Sequence, residues 1–176
     1  MGKIKIKPHV NLYSAPVVLV SCGTMEQPNI TTIAWTGVVC SNPPMISISI
    51  RPHRYSYTLI DESREFVVNI PTIELVDAVN YCGYVSGKTH NKFQECKLTP
   101  VAGSIVKVPL IQECPINFEC TVQDIIPLGA HDLFLGKVES LQLDEEIYTK
   151  EGFNLNKALA LFSYFNGEYW KYGEKI

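Results

Sequence analysis

The segment Met45-Ile-Ser-Ile-Ser-Ile-Arg51 alternates without a break, and such a pattern commits one face of a strand to a core. Ile46, Ile48 and Ile50 project to one side, and Ser47, Ser49 and Arg51 to the other. The same reading places strands at Val17–Cys22, Asn29–Thr36, Glu65–Ile70, Ile116–Ile126, His131–Leu143 and Leu159–Phe165. Gly23–Pro28 reads as a hairpin connection, and Ser41-Asn-Pro-Pro44 breaks the chain before the alternating strand. Helical signals are fewer. Thr72–Tyr81 opens with Thr72 as cap after Pro71 and brings Ile73, Val76 and Val79 near one face; Tyr55–Glu62 predicts a shorter helix. Many strands with one or two inserted helices predict a mainly β fold, a closed antiparallel barrel.

The 176 residues carry no internal repeat, low-complexity stretch or linker, so residues 1–176 are expected to form a single domain. The chain is 46% apolar and 19% charged, which suits a globular protein able to bury its own core. A net charge of -3 with no block of like charges gives no footing for nucleic acid or an anionic membrane surface. The N-terminal Met1–Lys7 alternates basic and apolar residues rather than forming a secretory stretch. The longest apolar run, Ala15–Val20, is too short to span a bilayer. The six cysteines form no CxxC pair and stand near no histidine at zinc-finger spacing, so free thiols in a cytoplasmic protein are expected, without a structural zinc.

Several motifs invite chemistry. Gly83-Tyr-Val-Ser-Gly-Lys-Thr89 looks like a phosphate-cradling loop, but it has one residue too few between its glycines and follows a predicted helix instead of a strand. No GxSxG elbow and no GxGxxG turn is present, and His9, His53, His90 and His131 are scattered, so no metal site is expected. After the alternating strand, Arg51, His53 and Arg54 supply cations while Ser56 and Thr58 supply hydroxyls at a helix start. That arrangement suits a phosphate, or equally a solvated strand end with a capped helix. In Asn29–Gly37, the small residues Thr32, Ala34 and Gly37 beside Trp35 would let a planar ligand approach backbone edges, or form an ordinary half-buried strand. His131, in the turn Gly129-Ala-His-Asp132, can donate to a ligand or simply to a strand start.

Taken in order, these segments resemble the flavin reductase-like family of FMN-binding split barrels, particularly its flavoredoxin-type members. The resemblance runs from about Asn11 to Gly173. It is carried by Asn29-x-Thr31-Thr32, Ser41-x-Pro43-Pro44, the strand into Arg51, Ser86-Gly87 before Lys92-Phe93, and Gly129-x-His131-x-x-Phe134-x-Gly136. It implies FMN as cofactor, held at a homodimer interface. Thr32, Ile33, Ala34 and Trp35 would run along the ring and ribityl chain, with Cys40 near the ring, either tuning it or filling space. Ser49, Ile50 and Arg51 would contact the flavin, and Tyr55, Ser56 and Tyr57 would lie near its phosphate. Arg51 and Ser56 are expected to share that phosphate site. Ser86 and Lys92 would help close the pocket, and His131 would face the reacting end as the one catalytic side chain. Asn91 stands where many relatives carry an acid, which removes any charge pairing made there. Phe162, Tyr164, Phe165 and Trp170 are expected to supply aromatic dimer surface. The implied function is an oxidoreductase passing electrons from NAD(P)H or a protein donor through FMN to an acceptor. The alternatives are a carrier without NAD(P)H turnover, or a non-redox binding module on the same fold.

Overall fold

The alternation of Met45–Arg51 is realised in one strand of a seven-stranded antiparallel sheet in the computed structural model, which describes residues 2–10, 12, 15–149, 152–153, 161–163 and 169–171. The sheet comprises β1 (Val18–Gly23), β2 (Pro28–Ile33), β3 (Thr36–Ser41), β4 (Pro44–Ile50), β5 (Glu65–Ile70), β6 (Ile116–Pro127) and β7 (Asp132–Leu143). Their order is β2-β1-β5-β6-β7-β4-β3. Helix α1 (Tyr55–Ser63) joins β4 to β5, while α2 (Val76–Tyr84) and the single turn α3 (Lys92–Glu95) lie between β5 and β6. No helix among the described residues is long and apolar enough to cross a membrane.

The run Asn29–Thr36, expected as one strand, divides instead at Ala34 and Trp35 into β2 and β3, which occupy opposite edges of the sheet. β-branched residues persist through this stretch and nothing local marks the break, so tertiary pairing decides it. The break also shapes the sheet. Seven flat strands about 4.8 Å apart would hold the edges nearly 30 Å from each other. The link from Ile33 to Thr36 reaches only about 11 Å. The sheet must therefore curl until its edges approach at that end. No ladder joins β2 to β3 among the described residues, so the fully closed barrel expected from sequence is not what the pairing records.

The curl separates two cores on either side of β1, all six residues of which are buried. Val18, Val20 and Cys22 face the inner core with Ile46, Ile48, Ile50, Phe66 and Phe134. Val17 and Leu19 face an outer core under the helices, with Ile30, Val79, Cys82 and Phe93. Gly136 is required where it stands, because a Cβ there would run into the Phe66 ring. The expected Thr72–Tyr81 helix starts instead as a 3-10 turn over Ile73–Leu75, where Thr72 occupies the cap position without a capping bond from its side chain. Of the expected Leu159–Phe165 strand, the described part is Leu161–Ser163, paired with Ala15–Pro16 and Tyr169–Lys171. Tyr164 and Phe165 lie outside the described residues, as do the side chains of Phe162 and Trp170.

Candidate functional site

The bend at Ala34–Trp35 opens a two-lobed groove at the end of the sheet where its edges approach. In the first lobe, of about 210 Å³, Thr32, Ile33, Ala34 and Trp35 form one wall. Ser49, Ile50, Arg51 and His131 line it beside them, the Ser49 amide donating to the Trp35 carbonyl at 2.9 Å. The second lobe, of about 170 Å³, is built from Asn29, the first turn of α1 (Tyr55, Ser56) and the α2–α3 connection with Ser86, Gly87 and Lys92. Thr31 and Arg54 line both lobes, which are therefore neighbours. Together the volumes fall within the range of about 300–1,000 Å³ usual for small-molecule sites.

The second lobe is built for an anion. Arg54 stands at the N-cap of α1 with extended dihedrals and no side-chain capping bond; the Tyr57 amide donates to its carbonyl at 3.0 Å, and the Tyr55 and Ser56 end of the helix carries the positive partial charge of a helix start. Lys92 is only 3% exposed; its Nζ donates to the carbonyls of Ile30 at 2.7 Å and Cys82 at 3.0 Å, leaving one of three ammonium protons for the lobe. Burial pushes the Lys92 pKa down and Arg54 adds to that, while Cys82 and Cys22 act in the opposite sense. An arriving anion would relieve this cost. The buried Asn29 Oδ1 has no hydrogen-bond partner, and its Nδ2 donates to Cys22 Sγ at 3.4 Å. A Cβ on Gly87 would overlap the Asn29 side chain, so any other residue there would have to displace that buried carboxamide.

The first lobe is bordered by the Thr32–Trp35 and Ser49–Arg51 segments, with Arg51, Arg54 and His131 among its side chains. His131 packs at a ring-centroid distance of 4.3 Å from Trp35, the two planes inclined at 42°. Arg51 Nε donates to His131 Nε2 at 3.3 Å, which makes Nε2 an acceptor and leaves the imidazole proton on Nδ1. Burial first, then the neighbouring Arg51 and His53, lowers the His131 pKa below its ordinary value, so the ring is neutral at pH 7.

The structure thus brings together His131, Thr32, Ile33, Ala34, Trp35, Ser49, Ile50, Arg51, Tyr55, Ser56, Ser86 and Lys92. Two expected residues lie elsewhere. Cys40 pairs with Met45 beside the β3–β4 turn, at the far end of β3 from Trp35, and lines neither lobe. The Tyr57 hydroxyl donates to Asp132 Oδ2 at 2.8 Å and its ring meets Phe134 edge-on, so the side chain serves the inner core. That bond to Asp132 is the main reason its pKa is raised. A third expectation changes in detail: Arg51 and Ser56 line different lobes, and Arg54 is the arginine beside Ser56. Asn29, Thr31, Gly83 and Gly87 complete the walls; Asn29, Thr31 and Gly87 belong to the motifs that carried the resemblance, and Gly83 to the loop set aside above, but none was expected to touch a ligand.

The model of the flavin reductase like domain matches residues 10–171. The chain belongs to the flavin reductase-like family. Flavoredoxin of Desulfovibrio vulgaris (Miyazaki F) superimposes with a TM-score of 0.93 at 31% identity, covering 99% of this chain and 96% of that one. An uncharacterized protein of Archaeoglobus fulgidus is 39% identical, the match covering 72% of this chain and 71% of the relative. The NADH-dependent FMN reductase AsuE2 of Streptomyces nodosus subsp. asukaensis is 28% identical over 82% of this chain and 77% of its own length. The proteins to which this chain is similar include both a flavoredoxin and an FMN reductase.

Proposed function

We propose that this chain binds FMN in the two-lobed groove and works as an NAD(P)H-dependent, flavin reductase-like oxidoreductase. The observation that carries the reading is a groove in which one lobe is bordered by Thr32–Trp35 and Ser49–Arg51 while the other gathers Arg54, the buried Lys92 ammonium, Ser56, Ser86 and the start of α1. The groups fit the ligand in order along the groove. Thr32–Trp35 and Ser49–Arg51 would border the ring, and the unpaired Asn29 Oδ1 would accept from a ribityl hydroxyl. Arg54, Lys92, Ser56 and Ser86 would hold the phosphate. Bound FMN would supply hydride and single-electron transfer, and the protein would supply position and electrostatics.

At the ring end, His131 Nδ1 holds a proton beside Trp35, which is 47% exposed and offers a surface for a nicotinamide. Neutral His131 would tune charge at the reacting end, and Arg51 fixes its tautomer through Nε2. The same arrangement would serve a carrier fed by a redox protein, and the flavoredoxin likeness supports that second reading. We read the curled sheet as one half of a split-barrel homodimer working in the cytoplasm, in which a second subunit covers the edge strand β3, where Val38 is 81% exposed. Steady-state oxidation of NADH and NADPH by the FMN-loaded protein, with free FMN or a ferric chelate as acceptor, tests the reductase reading. Turnover with either nucleotide is expected. Electron uptake only from a protein donor would assign the carrier role instead.

A further inference from the structure

Cys82 and Cys96 take no part in the chemistry assigned above, yet their sulfur atoms are 3.9 Å apart, the one pair of thiols in contact among the described residues. Cys82 is buried on α2, and Cys96, at the C-cap of α3, is half-buried. The segment between them carries Ser86, Gly87 and Lys92, which form one side of the anion lobe. Cys82 lines that lobe too, and its carbonyl is one of the two that hold the Lys92 ammonium. We propose that Cys82 and Cys96 form a reversible disulfide that staples residues 82–96 and slows the exchange of flavin from the groove. The effect on flavin rests on the FMN reading of the site.

The oxidant is a low-molecular-weight disulfide, RSSR. The Cys96 thiolate, the more accessible of the two, attacks one sulfur, breaks the S–S bond and expels RS⁻, leaving a mixed disulfide on Cys96. The Cys82 thiolate then attacks the Cys96 sulfur and expels the second RS⁻. The protein loses two electrons, RSSR gains them, and the two thiol protons end on two RSH. Closing from 3.9 Å to a bond of about 2.05 Å asks each sulfur to move by about 1 Å, a small side-chain adjustment. Burial holds both thiols above their ordinary range, so the reaction is slow and its end point is the readout. The closed loop removes freedom from the segment that must part to release the phosphate, and so lowers the off-rate.

The test treats the full chain with oxidised glutathione, then denatures, alkylates and maps it by mass spectrometry. Two of the six thiols should be lost, with a peptide pair carrying Cys82 linked to Cys96. FMN should then leave at least about threefold more slowly, and dithiothreitol should restore the original rate. Cys96→Ser should make flavin release indifferent to the oxidant, and Cys82→Ser should trap glutathione on Cys96. Cys96→Ala provides a second variant at a half-buried site if serine disturbs the fold. Six free thiols, a stable glutathione adduct on the unaltered chain or a link between other cysteines would overturn the staple. A Cys82–Cys96 link with unchanged flavin release would overturn its coupling to the groove. A chain that takes up no FMN in either state contradicts the flavin reading, while the linked peptides still decide the staple.

Discussion

Arg51 and Arg54 are three residues apart, and the groove gives them opposite tasks. Arg54 opens α1 beside Ser56 and Lys92, whereas Arg51 is turned to His131. Losing a charge-assisted bond to a phosphate costs about 1.5–3 kcal/mol, so Arg54→Ala should weaken FMN by roughly ten- to a hundredfold. Riboflavin, which has no phosphate, should be nearly indifferent; parallel fluorescence titrations with the two flavins make the comparison. Arg51→Ala should weaken both ligands to a similar, smaller degree. Equal loss of both flavins in Arg54→Ala would remove the phosphate assignment. His131→Ala should slow reduction by the electron donor severalfold, on the order of the electrostatic contributions made by single donors, with little change in FMN affinity. Because the His131 pKa is lowered in the fold, acidification below about 6.5 protonates the unfolded chain first. Stopped-flow rates should therefore be flat above that pH and change only as pH falls through the lower folded value.

The alternating β4 strand was legible because Ile46, Ile48 and Ile50 share a buried face, and β5 spans Glu65–Ile70 as expected, with Phe66–Asn69 buried in succession. The division between β2 and β3 was not legible, since it depends on which strands each half pairs with across the sheet. Most of the ring lobe was visible in the motif order, but Arg54 and Asn29 were harder to weigh. Their roles come from a helix start and from a carboxamide oxygen left unpaired in the fold. Glu119, buried on β6, gave no sequence signal at all. It accepts from the backbone amides of Ser104, Ile105 and Val106, and from the side chains of Ser104 and Gln142, pinning the loop that precedes β6. Burial alone would raise its pKa, but these donors outweigh it and lower it to about 2. The stabilisation is present above the unfolded value near 4.3 and is lost as pH falls towards 2. Glu119→Ala, which leaves several donors unpaired, should cost roughly 2–4 kcal/mol in urea unfolding at pH 7, and the cost should shrink in acid. A loss below about 0.5 kcal/mol would mean that the loop finds other partners.

On the scale of the whole molecule, the groove lies at the end of the sheet where its edges approach, and the edge strand β3 carries Val38 and Val39 with exposed side chains. A second copy covering that edge should bury on the order of 2,000 Å² or more and complete the wall beside Trp35. Light scattering of the flavin-loaded protein should report a dimer; a monomer with full flavin occupancy would show that one chain suffices. The central claim is that the two lobes form one FMN site, and the most direct measurement is the visible absorption spectrum of the purified protein after incubation with FMN and gel filtration. A yellow protein is expected, with flavin bands near one FMN per chain, released on denaturation as FMN. A colourless protein that retains no FMN would contradict it.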